Sequence, residues 1–135
     1  MAADDVPHAA RPQRRISAEF YRTESGNEPV REWLRSLPLA DRQTIGKDIR
    51  KAEYGWPIGM PTCDALGDGL WEIRTSLNHR IARVFFCLAE GRMILLHGII
   101  KKSRVAPQVD LETARKRRDN LQVRLRTSTA ASKRS

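Results

Sequence analysis

The stretch that most constrains this chain is Leu70 to Lys102, LWEIRTSLNHRIARVFFCLAEGRMILLHGIIKK. It holds three strand-like runs separated by two short turns, the pattern of antiparallel strands joined by hairpins. Cations interrupt an otherwise apolar text: Arg74, Arg80 and Arg83 in its first half, then His97, Lys101 and Lys102 at its close. An unpaired buried charge is costly, so cations standing on an apolar sheet need an anionic partner. The stretch therefore reads as a sheet with an RNA-facing surface, and the rest of the chain as its support.

The flanking sequence supplies that support in order. Residues 1–13, rich in Ala, Pro and charge, are expected to be a disordered extension. Residues 14–21 (RRISAEFY) alternate as a first strand does, with Ile16, Ala18 and Phe20 on one side. Ser25-Gly26-Asn27 makes a turn, and Pro29 suits the first turn of a helix. Val30, Trp33, Leu34 and Leu37 then fall at i, i+3, i+4 and i+7, and Pro38 ends that helix. A second helix is expected over residues 39–54, burying Ile45, Ile49 and Ala52 and capped by Gly55. Residues 55–69, with Pro57, Pro61 and four glycines, read as a loop.

Beyond the sheet, residues 103–106 form a connector and Pro107 opens a third helix. Asp110 and Glu112 near its N-terminus favour the dipole. Leu111, Ala114, Leu121 and Leu125 make its thin apolar stripe, and Arg115 to Arg118 a basic block. The domain proper is expected over residues 14–125, with 126–135 a disordered basic tail. Turns near Leu77-Asn78 and Glu90-Gly91 would set Glu72 opposite Arg83 and Trp71 opposite Val84. Glu72, Arg74 and Arg83 then share one face, and Trp71 and Ile73 the other. A one-residue slip reverses that relation.

Totals narrow the partner. The 135 residues suit one domain. Lys plus Arg number 25 against 16 Asp plus Glu, a formal charge of +9 that favours an anionic partner. No segment approaches the roughly 20 apolar residues that span a bilayer, and the N-terminus lacks the apolar core of a secretory signal. Cys63 and Cys87 have neither metal nor disulfide spacing, so a reducing cytoplasm is expected.

Motifs exclude more than they include. There is no Gly-x-Ser-x-Gly elbow and no Walker loop, and Gly67-Asp68-Gly69 is too short to cradle a phosphate. His8, His79 and His97 are scattered, and no carboxylate cluster offers a Mg²⁺ site. Neither metal nor cofactor is expected. Metal-free RNA cleavage suits the residues present: arginine forks grip phosphate oxygens, and a lysine or histidine moves protons.

Each candidate also has a plainer reading. Arg74 and Arg83 fit an ordinary cross-strand ion pair with Glu72 as well as a phosphate grip. His97 fits a satisfied core residue, and Lys101-Lys102-Ser103-Arg104 a solvated strand end. The block Arg115 to Arg118 reads as a solvated helix face, and Trp71, Phe85 and Phe86 as core rather than stacking platforms.

Three runs carry a family likeness: Gly69-Leu70-Trp71-Glu72-Ile73-Arg74, then Arg80-Ile81-Ala82-Arg83-Val84-Phe85-Phe86, then Leu95-Leu96-His97-Gly98-Ile99-Ile100-Lys101-Lys102. In this order, with Pro107 and the basic helix after it, the chain resembles the RelE/HigB toxins of the RelE/ParE superfamily, closest to their phage-derived branch. The resemblance implies an α+β fold: an N-terminal strand, a helical hairpin, an antiparallel β-meander and a C-terminal helix. It implies the toxin of a type II toxin–antitoxin system, a cytoplasmic endoribonuclease cutting mRNA in the ribosomal A site, with a helix-turn-helix antitoxin as partner. By motif, Arg74 and Arg83 match phosphate-binding positions, and Lys101 or Lys102 the late-strand cation that assists proton transfer. His97 belongs to this branch's own pattern, and Arg80 and Arg104 are expected to contact RNA. Relatives often carry a lysine where this chain has Glu72. Two rival readings stand beside this one: a ParE-like toxin that binds DNA gyrase without cutting RNA, and a basic domain that binds RNA by charge alone.

Overall fold

The computed structural model describes residues 13–134. The expected extension over residues 1–13 lies outside the described residues except for Gln13. Eight elements follow in order: β1 (Ser17–Phe20), α1 (Pro29–Ser36), α2 (Leu39–Gly55), β2 (Cys63–Gly67), β3 (Leu70–Leu77), β4 (Arg80–Ala89), β5 (Arg92–Lys101) and α3 (Gln108–Arg134). The fold is α+β. One five-stranded sheet, ordered β1-β5-β4-β3-β2, has antiparallel pairs throughout except that β1 runs parallel to β5.

The meander has four strands rather than three, because β2 forms inside the segment expected to be a loop. The cause is a type I′ hairpin. Asp68 and Gly69, with φ of 54° and 75°, join Gly67 to its ladder partner Leu70. Asp-Gly is a favoured dipeptide for that turn, since both central residues must take positive φ. The β4–β5 hairpin is built in the same way on Glu90 and Gly91, at 51° and 73°.

The β3–β4 register differs from expectation by two residues. The turn falls on Asn78-His79, with His79 at φ 56°, and Arg74 stands opposite Arg83 and Trp71 opposite Phe86. Leu77 stays in the strand, where it packs against the core, instead of being spent in the turn. A shift of two keeps every side chain on its face. Glu72, Arg74 and Arg83 therefore still share a face, and Trp71 and Ile73 the other.

One face carries Ile73, Val84, Phe86, Met93 and Leu95 and is covered by the α1–α2 hairpin through Val30, Ile45, Ile49 and Ala52. A helix of eight residues such as α1 has little stability alone. Burying Val30, Ile45 and Ile49 contributes about 1.5–3 kcal/mol each, so packing holds the hairpin rather than helix propensity. Trp33 lies flat against Gly98 of β5, where a Cβ would overlap its ring. Trp56 closes this side edge-on to Trp71 and Phe86, at 5.2 and 5.7 Å between centroids.

The opposite face carries Leu70, Phe85, Cys87, Ile94 and Ile99 and receives α3. Among the described residues of α3 only Ala114 is fully buried, with Leu111 and Leu121 packed beside it. So thin a stripe leaves much of the docking to polar links. Tyr21 donates to Asn120 Oδ1 at 2.8 Å, Arg124 to the Arg22 carbonyl at 2.7 Å, and Arg118 to the Asp68 carbonyl.

Candidate functional site

Arg74, Arg83, His97 and Lys101 come together on the α3-facing side of the sheet. Arg74 pairs with Arg83, and Arg83 with Ile99. Two residues toward the open end, Ser76, Ile81 and Lys101 form the next cross-strand row. Residues on three strands thus reach one surface because alternation puts even positions of β3, odd positions of β4 and, past the irregularity at Leu96, odd positions of β5 from His97 onward on the same side.

Their environments diverge sharply. Arg83 is 1% exposed, whereas the Arg74 side chain is 30% exposed. The two arginines share one carboxylate: Glu72 lies 3.4 Å from Arg83 Nε and 3.9 Å from Arg74 Nε. The remaining donors of Arg83 hold the connector, Nη1 donating to the Ser103 carbonyl at 3.0 Å and Nη2 to the Arg104 carbonyl. Burial pushes the Glu72 carboxyl up despite both arginines, and pushes the Arg83 guanidinium down despite Glu72. The ion-pair reading of these residues is thus present in the fold. Only Arg74 retains a surface to offer a ligand.

His97 is fully engaged. Nε2 lies 2.7 Å from Asp110 Oδ1, and Nδ1 lies 3.2 Å from Arg117 Nη1, which also donates to the Leu96 carbonyl at 2.8 Å. A guanidinium only donates, so Nδ1 accepts and Nε2 carries the proton toward Asp110. The ring also stacks on Phe85, 6.0 Å between centroids. His97 thereby ties β5 to α3. Two partners were missed in the sequence: Asp110, read only for its helix-end charge, and Arg117, read as part of a solvated block. Arg117 and Arg118 instead turn back onto the sheet, while Lys116 is exposed.

Lys101, Lys102 and Arg104 are exposed and, among the described residues, form no ion pair. Arg80 leaves the group: it stands on the opposite face and binds Asp41 of α2 at 3.2 Å. Among the described residues no three His, Cys, Asp or Glu side chains gather as metal ligands. Nor is any helix there long and apolar enough to cross a membrane.

A small mixed sheet between a helical hairpin and a basic C-terminal helix, with a cationic rim at one end, defines the class of domain. The chain belongs to the family described as phage derived protein Gp49-like (DUF891), whose model matches residues 32–119. This is a toxin-like family of toxin–antitoxin systems. No curated protein matches the chain.

Proposed function

We propose that the protein is the toxin of a type II toxin–antitoxin pair and acts, like RelE/HigB toxins, as a metal-independent mRNA endoribonuclease on the ribosome. The supporting observation is the cationic rim of exposed Lys101, Lys102 and Arg104, at and beside the connector that buried Arg83 holds, together with partly exposed Arg74 across the strand from Arg83. In the proposed reaction the RNA 2′-oxygen forms a bond to the adjacent phosphorus while the P–O5′ bond breaks. The 2′-hydroxyl proton leaves to a base, and the 5′-oxygen takes up a proton. Arg74 and Arg104 stabilise the charge building on the phosphate oxygens. Lys101 or Lys102 moves protons, and ribosome-held mRNA supplies the in-line geometry. Arg83 and His97 position this surface, one through the connector and the other through α3. The partner is a helix-turn-helix antitoxin.

The test is induction without antitoxin, mapping mRNA 5′ ends across the transcriptome, with Arg74→Ala alongside. In-frame cuts within translated codons, lost in the folded variant, support the reading. Growth arrest with intact mRNA and accumulating DNA breaks would replace it by a gyrase-binding toxin. Absence of arrest would leave a domain that binds RNA by charge.

A further inference from the structure

A recess opens beside the rim. Strand β2 covers β3 only as far as Ile73, and the Thr62 carbonyl takes the Arg74 N–H at 2.8 Å. Past that point β3 continues to Leu77 as an open edge with α2 alongside. Between them lies a pocket of about 370 Å³, lined by Asp48 and Lys51 of α2, Thr62, and Arg74, Ser76 and Ile81 of the sheet. That volume is within the range of small-ligand sites.

Its charges are arranged asymmetrically. Glu72 is one anion shared by two guanidiniums, so the trio carries an excess positive charge, and Arg74 is the member that reaches the surface. Lys51 is exposed and, among the described residues, has no ion-pair partner. Two cations from different elements suit a phosphate. Asp48 would repel a bare anion, yet its oxygens accept from hydroxyls. A metal ion would in turn face Arg74 and Lys51. The ligand that satisfies both halves carries an anion and hydroxyl donors together.

We propose that this pocket binds a ribose phosphate of an RNA strand, the phosphate between Lys51 and Arg74 and the ribose hydroxyls at Asp48. The inference rests on the RNA reading above only for the source of the ligand. It places a nucleotide-binding recess at the flank of the sheet, separated from Lys101 by Ile81.

The experiment is titration of the isotope-labelled full chain with adenosine 5′-monophosphate, followed by amide NMR. Saturable shifts are expected at Lys51, Thr62, Arg74 and Ser76. Lys51→Gln, at an exposed helix position, should weaken binding about tenfold, the scale of one charge-assisted contact. The 2′-deoxy nucleotide should bind more weakly, and Asp48→Asn should erase that preference. A short RNA oligomer should bind more tightly than the mononucleotide and lose affinity in Lys51→Gln. Shifts confined to residues 101–104, or equal binding by Lys51→Gln, overturn the pocket. Mononucleotide binding with no gain from the oligomer overturns the RNA source. Intact mRNA in cells with a saturable pocket refutes the nuclease reading alone, whereas in-frame cleavage with unchanged RNA affinity in Lys51→Gln refutes the pocket alone.

Discussion

Glu72 and Arg83 meet diagonally across neighbouring strands at 3.4 Å, with side chains only 6% and 1% exposed. The contact is coulombic rather than a formed hydrogen bond, since Glu72 Oε2 and Arg83 Nε both lack a hydrogen-bond partner. Desolvation acts against both charges, and what offsets it is their mutual attraction together with the two carbonyls that Arg83 holds on the connector.

Removing either partner should therefore be severe. Glu72→Ala and Arg83→Ala are each expected to cost about 3–5 kcal/mol, the first because it leaves Arg83 as an uncompensated buried charge, the second because it takes the nearer cation from Glu72 and frees the two connector carbonyls. Arg74→Ala, at a half-exposed position, should cost about 1 kcal/mol or less. The double variant Glu72→Leu/Arg83→Met should recover much of the loss. Urea denaturation of the four proteins checks this order. Equal costs for Arg74→Ala and Arg83→Ala would contradict the burial difference. It follows that lost toxicity in Arg83→Ala alone says little about phosphate binding.

Much of this arrangement was legible beforehand. Ile45, Ile49 and Ala52 emerged from helical spacing alone, and the face shared by Glu72, Arg74 and Arg83 survived a mistaken register because a two-residue shift preserves facing. Strand β2 was lost because its Pro- and Gly-rich approach outweighed the Asp68-Gly69 turn signal. The depth of Arg83 was illegible for another reason. Its hydrogen-bond acceptors are the main-chain carbonyls of residues 103 and 104, which carry no side-chain signature. Asp110 and Arg117 meet His97 only once α3 folds back, and helix periodicity does not encode that docking.

The Glu72 carboxyl lies above its ordinary 4.5, chiefly from burial. The folded state then holds this proton more tightly than the unfolded chain. Its contribution is most favourable below pH 4.5 and is lost as pH rises through the raised folded value. The stability difference between wild type and Glu72→Gln should accordingly shift in favour of wild type on acidification toward pH 4.5, and flatten below it. A shift in the opposite direction would mean that the arginines outweigh desolvation.

Cys63 and Cys87 are both free and buried, and burial pushes each thiol up to about 11 from an ordinary 9.0. Native protein at pH 8 should leave both unreacted toward a thiol-specific chromogenic disulfide, with both reacting on unfolding. The stability they contribute is present below pH 9 and lost as pH rises toward 11, since the unfolded chain ionises first. Rapid reaction of one thiol in native protein would place it at a mobile edge.

At Gly98 the Trp33 ring of the helical hairpin lies directly against the backbone of β5. Any Cβ there meets the Trp33 ring, and the ladder to Val84 of β4 ties the backbone of Gly98 to the sheet. Gly98→Ala should cost at least about 3 kcal/mol, the upper range for overpacking, because the obstacle is a rigid indole rather than a flexible chain end. Trp33→Leu should cost about 2 kcal/mol through lost contacts. Combined, the two should cost clearly less than their sum, since the leucine vacates the space the new methyl needs. Strict additivity in denaturation midpoints would show that Trp33 does not pack on this glycine, and the seating of α1 on β5 would have to be redrawn.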